Sequence, residues 1–497
     1  MPVSDKIHRR KPFPVIEKFY SSVNAPARAS IFYTAGNIIS RGAAFLITPV
    51  LTRLLGSEDY GLYSLFNSVL SILTIFSTLD IPGSVFFRGM QKFKGERAYF
   101  LRSSLILISI LSPLSFVAYT IISKGVFGGE IFIGANILLL ISLLANGTVN
   151  LYSSFCKFKS KYLFPTLTGI VTGAAAPALA CLAAALFSPN GANALWVKVV
   201  ITTAICALFA LPVYIYILRS GKTPQTKDKE NGKRDTLCHI KFLLLLALPM
   251  IPYYLSLSAI AQGDKIIISR FLGKAALGSY SVAYSAGSAI AYLISGICAA
   301  LSPWIMRKVR AGEVEKIRRV ILLIWKVISP ITLLFLCLSP EIFAFLAPKE
   351  YSYALSAVFP IALSAAPHIF STLLCSASLS YEKTGGIILS GVIPASVSIL
   401  LNILLVPKYS IFSAGVITLI SYTLSFLLSA FNFKRLSGKN GVFVNSCLQN
   451  LLFCIFCAMA IFAFREYLII RIFAAFISLL ALLRGFIYSK KLLREGA

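Results

Sequence analysis

The sequence predicts an all-α, polytopic membrane protein. It is expected to have about fourteen transmembrane helices: two parallel six-helix lobes related by a pseudo-twofold axis, plus two C-terminal helices. Three observations carry that expectation. Apolar runs of about 20 residues recur along the whole chain, each long enough to cross a hydrocarbon core of roughly 30 Å. The 497 residues are 57% hydrophobic and 13% charged, with a mean hydropathy of +0.82, whereas soluble chains carry roughly 25% charged residues. One phrase also occurs twice, 217 residues apart: Arg53-Leu54-Leu55-Gly56 to Gly61-Leu62-Tyr63-Ser64, and Arg270-Phe271-Leu272-Gly273 to Gly278-Ser279-Tyr280-Ser281. Both copies read R-x-L-G-x4-G-x-Y-S, and both join the end of one apolar run to the start of the next. The copies lie six runs apart, an even number, so both halves face the membrane the same way. That is a parallel repeat about an axis along the membrane normal, an architecture of transporters.

Taken in order, the spans of the first half begin near Ile31, Gly61, Leu101, Ile131, Leu163 and Leu195. Those of the second begin near Leu246, Tyr280, Val320, Tyr353, Gly386 and Phe412, and the last two near Cys447 and Ile469. The only long polar segment, 219–241, contains Gly221, Pro224, Asn231 and Gly232 among seven basic residues. It falls where a linker between lobes belongs. The expected division is a cytoplasmic tail 1–30, an N-lobe 31–218, a cytoplasmic linker 219–241, a C-lobe 242–433, and a C-terminal pair with its cytoplasmic tail over 434–497. Outer loops such as Ser188-Pro189-Asn190-Gly191 are very short, so no extracellular binding domain is expected.

The net charge of +29 raises the question of nucleic acid, but its placement answers for a membrane. With a cytoplasmic N-terminus, the inner segments hold 35 of the 47 Lys and Arg residues. The alternate segments hold 9, and Arg41, Lys198 and Lys326 lie inside spans. This positive-inside asymmetry puts both termini in the cytoplasm, and anionic headgroups account for the remaining attraction. No nucleic-acid partner is expected. The first 30 residues lack a short apolar core with a small-residue cleavage site, so the first span serves as the insertion signal.

Ten cysteines are scattered, mostly within spans; Cys454 and Cys457 form a lone C-x-x-C inside an apolar run and read as packing residues. No metal site or catalytic residue is expected, and no Walker-type phosphate loop is present. Prolines within or at the ends of spans, such as Pro49, Pro113, Pro330 and Pro367, bend helices and suit either hinges or static kinks.

Charge inside a membrane costs about 2.5–3.5 kcal/mol, so each buried charge needs a reason. Arg41 is the deepest, about ten residues into the first span. It reads either as a cation facing a wet interlobe cavity or as the partner of a carboxylate, with Asp80 and Asp264 the available acids. Arg53 and Arg270 are equivalent in the two repeats and read as cavity-flanking or headgroup-anchoring groups. Arg88 falls at the cytoplasmic mouth. Asp264 and Lys265 read as a self-neutralising pair, or Asp264 as the site that couples transport to an H⁺ or Na⁺ gradient. Lys326 reads as snorkelling to the inner surface, His368 as packing, and His239 as cytoplasmic.

The stretch Pro49-Val50-Leu51-Thr52-Arg53-Leu54-Leu55-Gly56-Ser57-Glu58-Asp59-Tyr60-Gly61-Leu62-Tyr63-Ser64 resembles the opening signature of Wzx-type polysaccharide flippases. Those belong to the multidrug/oligosaccharidyl-lipid/polysaccharide (MOP) exporter superfamily. The stretch Asp264 to Tyr284 is similar to that family's second signature, and the likeness covers about 30–433. It implies two lobes forming a V that opens alternately to each side of a bacterial inner membrane. The implied cargo is an undecaprenyl-diphosphate-linked oligosaccharide for lipopolysaccharide O-antigen, capsule or exopolysaccharide, handled beside polymerases and glycosyltransferases. In related lipid II flippases cavity arginines hold the diphosphate; by motif context Arg53, Arg88 and Arg270 are similarly placed, and Arg41 has no assigned counterpart. Guanidinium suits diphosphate, so Arg41, Arg53, Arg88 and Arg270 are the expected headgroup ligands, and Asn37, Asn67, Asn146 and Asn150 the expected sugar contacts. The rival readings are a cation-coupled drug exporter of the same superfamily and a membrane glycan polymerase or ligase. A first span without Asp or Glu argues against the former, and the lack of a large outer loop against the latter.

Overall fold

The computed structural model describes residues 25–83, 85–127, 136–159, 161, 163–188, 193–220, 231–381, 385–438 and 443–495. Among them every regular element is helical, as a lipid-embedded chain requires when no water is present to satisfy its backbone. The first helix, α1 (Ala25–Thr78), is two spans joined at Gly56, whose φ of 67° and ψ of 178° turn the chain back. A short α2 (Phe86–Lys92) leads to α3 (Arg97–Phe127) and α4 (Asn136–Phe158). The fifth span is split by a π turn at Val171–Ala175 into α5 (Leu163–Ile170) and α6 (Ala176–Phe187), and α7 (Ala194–Ser220) closes the N-lobe.

The second lobe follows the same plan. It begins with α8 (Asn231–Ala247) and α9 (Ile251–Leu272), which meet α10 (Lys274–Arg310) at Gly273. Gly273 has φ 88° and ψ 174°, nearly the Gly56 conformation, so the repeated Leu-Gly pair makes the same turn in both halves. Only glycine takes this region of φ without strain. Next come α11 (Val314–Cys337), α12 (Ser339–Leu346), α13 (Leu355–Leu379) and α14 (Gly385–Ser437), with α14 bent at Ser410. The pair α15 (Phe443–Ala463) and α16 (Leu468–Glu495) packs against α11. Counting α1 and α14 as two spans each, α5 with α6 and α8 with α9 as one each, and leaving out the short α2 and α12, the described residues form fourteen helical spans, the number expected.

Two parts of the sequence reading change. The segment expected as linker is half helix: residues 221–230 lie outside those described, but α8 starts at Asn231 and packs on α2 and α3. His239, expected to be cytoplasmic and without a role, is buried there. Its Nε2 lies 3.4 Å from Glu96 and its Nδ1 3.3 Å from the Ser103 hydroxyl, with Phe93 and Phe100 against the ring. The loops expected on the outer side are also not uniformly short. Residues 338–354 form α12 and a 3₁₀ turn (Lys349–Ala354) that reach across to the N-lobe. The Thr52 hydroxyl donates to the Leu346 carbonyl at 2.7 Å, and the Tyr351 hydroxyl donates to the Thr52 carbonyl at 3.3 Å.

The C-terminal pair is clamped at one end. Arg471 of α16 donates to both oxygens of Glu341 at 2.7 Å and to the Cys337 carbonyl at 3.1 Å. An apolar groove of about 860 Å³ runs between α11, α15 and α16, with Lys326 and Arg484 along it. The Cys454 and Cys457 thiols are free and line this groove.

Candidate functional site: the interlobe cavity

The repeated phrase explains a seal between the lobes. Its second glycine and its serine are where the lobes meet. A Cβ on Gly61 would stand 1.9 Å from the Lys274 carbonyl oxygen, and one on Gly278 would stand 1.9 Å from that of Ser57. Backbone therefore touches backbone across the pseudo-twofold axis. One turn further in, the Ser281 hydroxyl donates to the Ser64 hydroxyl at 2.6 Å.

Below this seal lies a cavity of about 550 Å³ bounded by both lobes. Its polar lining is Arg41, Thr48, Tyr60 and Tyr63 from α1, with Ser285 and Tyr292 from α10. Phe45, Ile331 and Phe335 supply apolar wall, and among the described residues no Asp or Glu lines it. Helix α11 divides this cavity from the lipid-side groove: Ile331 and Phe335 face the first, while Trp325, Ser329 and Leu333 face the second.

Arg41 is exposed to the cavity, and its guanidinium carbon sits 4.3 Å above the Tyr292 ring centre in the opposite lobe. Its neighbour explains its aim. Ser40 donates to the Gly169 carbonyl at 2.7 Å, which fixes one face of α1 against the N-lobe and turns Arg41 toward the interlobe space. Neither expected carboxylate pairs with it. Asp80 lies in the turn after α1, where burial lifts its carboxyl to about 6 and the Tyr254 hydroxyl offsets part of the rise. A tyrosine face attracts a cation by up to about 2 kcal/mol when desolvated and leaves its N–H donors unused. Arg41 is thus held without being neutralised.

A family model described as polysaccharide biosynthesis protein matches residues 27–309, which is more than half of the chain. The chain belongs to the polysaccharide biosynthesis protein family. Its fold is that of lipid flippases and drug transporters. The lipid II flippase MurJ in an inward closed conformation superposes with a TM-score of 0.65 at 16% identity, over 93% of this chain and 100% of that one. An inward-facing multidrug resistance MATE family transporter of the MOP superfamily gives 0.60 at 13% identity, over 83% and 99%. A point mutant of the Vibrio cholerae MATE transporter VcmN gives 0.54 at 12%, over 84% and 97%. No curated protein matches the sequence. The family match and the shared fold bear out the resemblance carried by the two signatures.

The cavity gathers only some of the residues expected from sequence. Arg41 lines it. Arg53 is exposed at the end of the first span, beside the Gly56 bend, donating to the Pro49 carbonyl at 2.9 Å and the Phe345 carbonyl at 3.3 Å. Arg270 is exposed at the matching end of α9, and Arg88 is exposed on α2. None of the three lines the cavity in this conformation. Asn67 donates to the Tyr63 carbonyl of its own helix at 3.0 Å, while Asn146 is half-buried and Asn150 exposed on α4, all outside the cavity lining. The Asn37 side chain lies outside the described residues.

Asp264 and Lys265 are not paired through their side chains. The Asp264 carboxylate accepts from the Tyr280 hydroxyl and from the Lys265 backbone N–H at 2.7 Å. The Lys265 ammonium instead donates to Gln262 at 3.0 Å and lies 4.5 Å over the Tyr284 ring. Gln262 in turn accepts from Ser68 of the N-lobe at 3.0 Å, making a polar bridge between lobes at mid-depth. Tyr60, Tyr63 and Tyr292 were missed. A tyrosine within an apolar span carries no mark of its role in the sequence, and only the rotation of these three toward the cavity distinguishes them.

The placement of Arg53 makes a prediction. Its partners are carbonyls at an exposed helix end, so Arg53→Ala should change stability by no more than about 0.5 kcal/mol. Thermal unfolding of the purified variant checks it.

Proposed function

We propose that the protein flips an undecaprenyl-diphosphate-linked oligosaccharide across the bacterial inner membrane, with both termini cytoplasmic, by alternating access. The product would enter lipopolysaccharide O-antigen, capsule or exopolysaccharide synthesis, alongside glycosyltransferases and a polymerase. The observation that carries this reading is Arg41: an intramembrane guanidinium in an interlobe cavity with no carboxylate in its described lining. Such a site attracts a phosphate-bearing headgroup and repels organic cations. It therefore favours the flippase over the drug exporter within the same fold.

The cavity tyrosines suit sugars, because a sugar's C–H face packs on a ring while the phenol hydrogen-bonds its hydroxyls. The apolar groove beside α11 suits a polyprenyl tail that stays in lipid while the headgroup crosses. Arg53, Arg88 and Arg270 would meet the headgroup at the two mouths rather than in the cavity.

Deleting the gene tests the reading. The expected result is loss of surface glycan, with the lipid-linked precursor trapped on the cytoplasmic leaflet. Trapping on the outer leaflet would mean a polymerase or ligase, and normal glycan with new sensitivity to cationic drugs would mean an exporter.

Coupling to an H⁺ or Na⁺ gradient is assigned to Asp264, a carboxylate buried between Tyr280 and the Lys265 backbone in the C-lobe. Asp264→Asn keeps the shape and the Tyr280 contact but cannot change charge. Export in this variant should become insensitive to collapse of the ion gradient, and unchanged sensitivity would remove Asp264 from the coupling role.

A further inference from the structure

The two copies of the repeat treat their tyrosine differently. In the C-lobe, Tyr280 is fully buried and donates to Asp264, whose charge also takes a backbone N–H. That buried charge is answered. In the N-lobe the equivalent Tyr63 lines the interlobe cavity. Behind it stands Lys198 of α7, its ammonium nitrogen 3.1 Å from the Tyr63 ring centre. Lys198 is 0% exposed, and among the described residues its nitrogen meets no hydrogen-bond acceptor. Its polar neighbours are the Tyr63 phenol and the Cys181 thiol, with no carboxylate beside it among the described residues.

A buried ammonium without a carboxylate is costly to keep. Packing does not require it, since a methionine fills similar volume without the charge. Lys198 also shares its arrangement with Arg41. Each cation rests on the face of a cavity-lining tyrosine, Tyr63 or Tyr292, which attracts charge while leaving N–H donors free for phosphate oxygens. The two differ in depth. Arg41 is 15 residues and Tyr63 is 7 residues from the Gly56 bend, so at 1.5 Å per residue they lie about 22 and about 10 Å from it.

We propose that Lys198 is a second anion-binding point of the same cavity, nearer the outer face than Arg41, which takes the phosphate-bearing headgroup when the Tyr63 ring swings aside. This rests on the flippase reading above. The headgroup would pass from Arg41 to Lys198 as the seal at Gly61 and Gly278 opens, so positive charge is met at two depths of the path.

The test is calorimetric binding of farnesyl diphosphate to the purified full-length protein. The two points lie about 12 Å apart in depth, so one diphosphate meets them in turn and Lys198→Met is expected to weaken binding about twofold. Arg41→Ala should do likewise, and the double variant should lose binding. Lys198→Arg should stay near wild type, and Lys198→Met should melt no lower than wild type because it removes an unanswered buried charge. Unchanged binding in Lys198→Met, with or without a fall in melting temperature, would overturn the inference while leaving Arg41 in place. If neither Lys198→Met nor Lys198→Gln folds, the lysine is structural and the inference also falls. A wild-type protein that does not bind farnesyl diphosphate would instead sink the flippase reading itself.

Discussion

Gly278→Leu is expected to lower glycan export about tenfold or more while the protein reaches the membrane at its normal level. A side chain at this position meets the Ser57 carbonyl, since even a Cβ would stand 1.9 Å from that oxygen. Backbone cannot step aside as a flexible side chain can. The lobes must therefore part at the outer face, which exposes Ser64 and Ser281 and biases the transporter away from the sealed state. Moving a two-state equilibrium from 1:99 to 99:1 takes only about 5.5 kcal/mol, within reach of several displaced helix contacts. Ser64→Cys provides the readout, because Ser64 is 9% exposed in the sealed state. An impermeant maleimide added from outside should label it poorly in the parent and strongly with Gly278→Leu. Gly61→Leu should behave the same way, since the contact is reciprocal.

Arg41→Ala is expected to reduce export about tenfold or more with no loss of protein level. The guanidinium is held on Tyr292 and has no carboxylate partner among the described residues, so its removal strands no buried acid. Loss of one charged hydrogen-bonding group costs about 1.5–3 kcal/mol, roughly ten- to a hundredfold or more in occupancy. Arg41→Lys should recover only part, because an ammonium lacks the two-pronged donor geometry that matches phosphate oxygens. Export assays at matched expression, with the precursor assigned to its leaflet, check both variants. Full export by Arg41→Ala would leave the cavity without its proposed anion ligand.

Much of the architecture is legible in the sequence because the bilayer imposes it. Fourteen apolar runs, the alternation of basic segments and the duplicated R-x-L-G-x4-G-x-Y-S phrase each report a constraint that acts locally. Gly56 and Gly273 mark the two equivalent turns, and Gly61 and Gly278 mark the crossing of backbones. The rest depends on how a helix is rotated about its axis, which hydropathy along a uniformly apolar span does not encode. Arg41 and Lys198 both read as charges inside spans, and only packing shows each resting on a tyrosine at the cavity wall. Arg53 and Arg270 owe their prominence to a motif whose glycines and serine make the interlobe contact, while the arginines sit at exposed helix ends. The outer cap over 338–354 was hidden because its short helix is as apolar as the spans beside it.

The measurement that tests the central claim most directly is capture of the cargo in the cavity. Phe45 lines the wall beside Arg41, and p-benzoylphenylalanine at that position preserves an aromatic side chain while allowing light-induced crosslinking in cells. The expected product is an adduct with the mass of a polyprenyl diphosphate oligosaccharide, abundant when Arg41 is present and strongly reduced in Arg41→Ala. An adduct with ordinary phospholipid alone, or one unchanged by Arg41→Ala, would contradict the claim that this cavity carries an anionic, lipid-linked headgroup across the membrane.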